Sequence, residues 1–123
     1  MLWRDEQCRI VRVPSDDYPG FLRVILKRHV REMTDLAPPE RERLMRAVFA
    51  AESTLRALFR PDKVNLASLG NQVPHLHWHV LARHAGDRHF PDPIWASPRR
   101  AAPPPRPAVT EAALAGQLAA LLA

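Results

Sequence analysis

Pro74-His75-Leu76-His77-Trp78-His79-Val80-Leu81 decides the reading of this chain. Side chains alternate faces along a strand. His75, His77 and His79 therefore point to one side, and Leu76, Trp78 and Val80 to the other. The apolar set supplies a face to bury, which fixes the strand; the other face carries three imidazoles at next-nearest spacing, about 7 Å apart. So many imidazoles in a row cannot all be protonated together, so their pKa values should be pushed down and apart. A neutral imidazole at neutral pH can serve as nucleophile or base, and a charged neighbour can donate to phosphate. A metal site is the competing reading, since neutral imidazole is a common zinc ligand. One flat strand is a poor frame for three ligands of a single tetrahedral ion, and a fourth would have to come from His29, His84, His89 or Asp87.

Working outward, Val73 to Ala82 reads as one strand, preceded by a turn at Ser68-Leu69-Gly70-Asn71-Gln72 and a shorter strand at Lys63–Ala67. Between Pro39 and Phe59 the period becomes helical. Leu44, Val48, Leu55 and Leu58 recur on one face, with Glu40, Arg43, Arg46 and Arg56 on the other. Proline and acidic residues at its start suit a helix N-terminus, and Pro61-Asp62 stops it. Upstream, Cys8–Val13 and Phe21–Leu26 are β-branched and apolar, joined by the turn formers Pro14–Gly20, which predicts an antiparallel pair. His29–Leu36 is short and irregular or helical. The order β-β-α-β-β predicts an α+β domain, with an antiparallel sheet and one long helix packed on it.

Residues 1–95 are assigned to this domain and residues 96–123 to a proline-rich segment followed by an amphipathic helix. More than half of the 13 prolines lie between residues 83 and 108, which predicts an extended, surface-hugging or mobile segment. Thr110 caps a helix over Glu111–Leu122, with Leu114, Leu118, Leu121 and Leu122 on one side. His84 and His89 are expected to be solvated loop residues, Arg99, Arg100 and Arg106 part of a flexible tail, and Trp95 either a loop anchor or a group reaching a ligand. Cys8 is read as a small buried hydrophobe.

The chain has 123 residues, with 46% hydrophobic and 25% charged content, which fits one globular domain. A single cysteine excludes an internal disulfide framework and a cysteine-rich zinc site. Its formal charge is +5, but 16 of the 18 basic residues are arginines spread among acids. No polybasic stripe results, so a nucleic-acid partner is not expected. No apolar run matches the ~20 residues of a membrane span, and the charged Met1–Glu6 segment is unlike a signal peptide. The expectation is a cytoplasmic protein without a membrane partner.

The run His75-Leu76-His77-Trp78-His79-Val80-Leu81 resembles the signature of the histidine triad (HIT) superfamily of nucleotide hydrolases and transferases. Further resemblance lies in Arg23–Val30, the long helix, Asn65, the Tyr18-Pro19-Gly20-Phe21 turn, Asn65–Asn71 and His89-Phe90-Pro91, which are similar to a bacterial branch of HIT family proteins. The resemblance spans about residues 8–90 and implies a HIT-like fold and a homodimer with a joined sheet. It implies that His77 attacks the α-phosphorus of a nucleoside phosphoryl substrate, giving a nucleotidyl-histidine that water releases. A dinucleoside polyphosphate or an adenylylated amine is the favoured substrate. His79 would donate to a phosphate oxygen, and His75 would orient His77. Gly70, Asn71 and Gln72 would hold the phosphate beside Asn65, and Asp16 or Asp17 would grip the ribose. No cofactor is required, and magnesium would enter only as a substrate counter-ion. Phe21 stands where the family often carries a further histidine, and Gln72 where phosphoramidases carry a serine. The alternatives are a metal-binding histidine protein and a nucleotide-binding module with weak turnover.

Overall fold

The computed structural model describes residues 1–123. Five strands, β1 (Trp3–Arg4), β2 (Cys8–Arg12), β3 (Phe21–Leu26), β4 (Lys63–Ala67) and β5 (His77–Arg83), form one sheet in the order β1-β2-β3-β5-β4. Every neighbouring pair is antiparallel. Two α-helices accompany it, α1 (Pro38–Phe59) and α2 (Glu111–Leu121), with a short 3-10 turn at Met33–Asp35. The α+β architecture expected from the sequence is present, with one more strand at the β1 edge. A two-residue strand is too short to show a period, which is why Trp3–Arg4 escapes a pattern search.

Alternation along the strands makes the sheet two-sided. Ile10, Val24 and Val80 turn inward against α1, where Leu44, Val48 and Leu55 are fully buried. Leu114 and Leu118 of α2 enter the same core, while Leu121 stays 40% exposed. Thr110 caps α2 by accepting from the Ala113 amide at 3.1 Å. Helix α1 opens on Pro38 and Pro39, and Glu40 accepts from the Ala37 amide at 3.0 Å. It closes at Arg60 in the left-handed region (φ 47°), just before Pro61. Gly20 lies so close to β5 that an added Cβ would stand 2.8 Å from the Ala82 Cβ, while its carbonyl accepts from the Ala82 amide. A side chain there would force the sheet and Phe59 apart.

Two boundaries differ from expectation. The histidine strand begins at His77 rather than Val73. Pro74 has no N–H to donate, and the Leu76 amide goes instead to the Val30 carbonyl at 2.8 Å. His75 thus stands on a bend before the strand. Residues 84–100 run through turns and bends closed on a buried charged cluster, so this part of the proline-rich region is built into the protein.

Candidate active site

On the open face of the sheet, register places side chains in transverse rows. Arg4, Arg9, Ile25 and His77 form one row, and Val11, Arg23, His79 and Ala67 the next. A cavity of about 870 Å³ lies over these rows. It is lined by His75, His77 and His79, by Gly70, Asn71 and Gln72 of the turn before β5, by Arg4, Arg9, Arg23 and Lys27, and by Trp95. The structure thus gathers the three histidines and the turn into one space.

The backbone sets the state of His77. Its Nδ1 lies 2.6 Å from the His75 carbonyl oxygen, which can only accept, so Nδ1 carries the hydrogen. The other nitrogen, Nε2, then keeps its lone pair in the neutral ring. His75 is fixed similarly: Nε2 donates to the Leu26 carbonyl at 2.5 Å, so in the neutral ring Nδ1 accepts from His29 Nδ1 at 3.0 Å. The His29 ring, eight residues past Phe21 in sequence, thereby reaches the first histidine through the bend at residue 75. The Ser68 hydroxyl donates to the His77 carbonyl at 2.9 Å, tying the turn to the strand. Gly70 has φ +68°, a conformation that L side chains rarely adopt.

His79 is the most buried of the three, 7% exposed, and its Nδ1 has no hydrogen-bond partner. Phe21 meets its ring edge-on at 5.8 Å, His77 at 4.9 Å and Trp95 at 5.1 Å. Burial first, then the charge of Arg23 and the neighbouring His77, lower its pKa to about 4. His79 is therefore neutral at pH 7. Its protonation on acidification favours the unfolded chain, so the stability tied to neutral His79 is complete above about pH 6.5 and fades as pH falls toward 4. In a proton NMR titration its ring signals should stay fixed down to about pH 5. Arg23→Gln, which removes the nearby charge, should move that transition upward; a transition already near 6.5 in the native chain would contradict this environment.

Other expected residues fall elsewhere. Asn65 accepts from Arg83 Nη1 at 2.8 Å and does not line the cavity. Asp16 borders a separate hollow of about 250 Å³ with Tyr18, Asp87 and Pro103–Pro105. Asp17 pairs with Arg88 at 2.9 Å. No three His, Cys, Asp or Glu side chains converge as ligands for a metal ion. Cys8 is buried as expected, and burial, aided by Asp5, pushes its thiol up to about 12.

The segment leading to Trp95 is held by a cluster that pattern reading missed. Arg83 is 2% exposed, and it donates to both Asp87 oxygens at 2.8 and 3.1 Å and to the Asp92 carbonyl at 2.7 Å. Burial alone would raise the Asp87 pKa. Arg83 and the amides of His84, His89 and Phe90 overcome this and hold the carboxyl well below the usual range. The Tyr18 hydroxyl donates to Asp87 at 3.1 Å and meets His89 Nδ1 at 2.5 Å. Burial and Asp87 together push that phenol up to about 12. His84 and His89 are thus buried rather than solvated. Arg100 donates to the carbonyls of Asp87 and Phe90, and Arg99 to Asp92 at 2.7 Å, so both arginines brace the segment that carries Trp95.

A two-sided antiparallel sheet under one long helix, with alternating histidines over an open cavity, defines a histidine triad domain. The chain belongs to the HIT domain family, whose profile matches residues 1–86. Among solved structures it is similar to a histidine triad protein from Marinobacter aquaeolei VT8, with 29% identity, a TM-score of 0.75, and coverage of 98% of this chain and 86% of that one. A histidine triad protein from Bradyrhizobium japonicum gives 27% identity, a TM-score of 0.72 and the same coverages. One from Sinorhizobium meliloti 1021 gives 25% identity and a TM-score of 0.73, over 93% of this chain and 82% of that one. None of the curated proteins matches. No helix is long and apolar enough to cross a membrane.

Proposed function

We propose that this chain is a nucleotide hydrolase or transferase that works at the α-phosphate of a nucleoside phosphoryl compound through a nucleotidyl-histidine. The observation that carries this reading is the 2.6 Å bond from His77 Nδ1 to the His75 carbonyl. In the neutral ring it leaves the lone pair on Nε2, on a strand over a cavity. The Nε2 lone pair forms a bond to the α-phosphorus, and the bond from phosphorus to the leaving group breaks, its electron pair going with that group. Water then attacks phosphorus, the N–P bond breaks, and the nucleoside monophosphate departs with His77 neutral again. His79 contributes a neutral donor to a phosphate oxygen, and the turn at Gly70–Gln72 brings amides and side chains toward the same group. Magnesium enters as a counter-ion of the substrate, not as a resident of the site.

Rapid quenching without acid during turnover of diadenosine tetraphosphate should show a protein mass increased by one adenylyl group. The added mass should map to His77 and disappear on further incubation, with release of AMP. Turnover with no adduct under quench conditions that preserve a phosphoramidate would count against the covalent route. The fold also leaves β4 with an open edge, and we propose that a second copy joins the sheet in a homodimer. Light scattering should then give twice the 13.9 kDa chain mass; the chain mass itself would remove the dimer.

A further inference from the structure

Arg4 and Arg9 face each other directly across β1 and β2, on the open side of the sheet. Like charges in opposed cross-strand positions repel. A local rule broken without compensation is a mark of a functional site. No compensation is present: neither arginine takes part in any of the five ion pairs. Nearby Asp5 is engaged elsewhere, accepting from the Gln7 and Cys8 amides and facing Arg43 at 3.7 Å.

Both arginines line the histidine cavity. They share a row with Ile25 and His77, which puts the Arg9 and Arg4 backbones roughly 10 and 14 Å from that of His77 at ordinary strand spacing. Arg23 stands opposite His79 in the next row, with its Nε buried and unpartnered. Three guanidinium groups that make no ion pair thus stand beside or lead away from the nucleophile along one cavity wall, with Asp5 the acid that shares it. Guanidinium is suited to forked bonding with phosphate oxygens.

We propose that Arg4 and Arg9, with Arg23 nearest the histidines, form a second anionic subsite that takes the distal phosphates of the leaving group. The site is then built for a nucleotide esterified to a polyphosphate chain, and not for a nucleotide joined to an amine. The chemistry of departure agrees. A polyphosphate leaves as a stable anion, whereas an amine must take a proton, and the Gln72 amide gives up none at neutral pH. This inference rests on the reading of His77 as nucleophile.

The test compares the wild-type chain with the Arg4→Gln/Arg9→Gln double variant, using diadenosine tetraphosphate and adenosine 5′-phosphoramidate as substrates. Inorganic tripolyphosphate is titrated separately against tryptophan fluorescence. The ratio of kcat/KM for the tetraphosphate to that for the phosphoramidate should fall at least about tenfold, equivalent to ~1.4 kcal/mol. Tripolyphosphate should bind the wild type and be lost from the variant. The variant should unfold at the same temperature as the wild type or higher, since a repulsion has gone; a structural role would lower stability and both activities together. An unchanged ratio with both substrates turned over would overturn the subsite while sparing the nucleophile. If neither substrate is turned over, the hydrolase reading fails, and the tripolyphosphate titration still decides the subsite: binding lost in the variant upholds it, and no binding by wild type overturns it.

Discussion

His77→Ala should abolish nucleotide release, lowering kcat by on the order of 10⁴–10⁶, as expected when a covalent nucleophile is removed. The geometry makes the loss specific. Each other imidazole at the cavity differs in a way that prevents substitution: His75 spends both ring nitrogens on Leu26 and His29, and His79 is mostly buried, with the rings of Phe21 and Trp95 packed against it. Folding should hardly notice the change, because His77 is half-buried and its one ring bond is to a neighbouring carbonyl. The measurement is steady-state AMP release by chromatography, paired with thermal unfolding. Full activity in a folded His77→Ala protein would remove the nucleophile from the mechanism, whereas His75→Ala should retain part of the rate.

Asp87→Ala should damage the fold heavily, destabilising the chain by about 3–5 kcal/mol, the usual cost of leaving one partner of a buried ion pair uncompensated. Arg83 would keep its charge in a place closed to water, and the amides of His84, His89 and Phe90 would lose their shared acceptor. A pH signature separates this from a simple packing defect. Because Asp87 is held below its unfolded pKa, its contribution is present above about pH 4 and is lost as pH falls further toward its folded value. Denaturant unfolding of the wild type should therefore show stability dropping between about pH 4 and pH 2. The Asp87→Ala curve should be flatter there. Equal slopes for the two proteins would mean that other carboxylates govern the acid limb. Trp95 offers a second readout, since its contact with His79 depends on the segment that Asp87 anchors.

Periodicity found the elements whose burial is apolar and regular. Phe21–Leu26 and Lys63–Ala67 coincide with their strands, and α1 differs by one residue at Pro38. Each of these segments shows its buried face as a simple repeat of hydrophobic residues. The histidine row was legible for the same reason, because Trp78 and Val80 mark the alternate positions. The rest lay in side-chain partners distant in sequence, which no period encodes. Arg83, Asp87 and His89 are buried because they satisfy one another, so a reading that places charged and proline-rich segments at the surface misses them. Trp95 reaches His79 only because that cluster folds residues 84–100 back. The opposed pair Arg4 and Arg9 needed the register of a strand too short to find.

The two-sided sheet separates what the protein must keep from what it can change. On β2 and β3, even-numbered positions such as Ile10, Leu22 and Val24 hold the interior, while the odd-numbered Arg9, Arg23 and Ile25 meet the cavity. Selection can therefore rewrite ligand choice by altering every second codon without loosening the scaffold. Descendants of one ancestral sheet could diverge in diet while remaining superimposable in backbone. Parity, more than proximity to the histidines, tells an engineer which residues are negotiable.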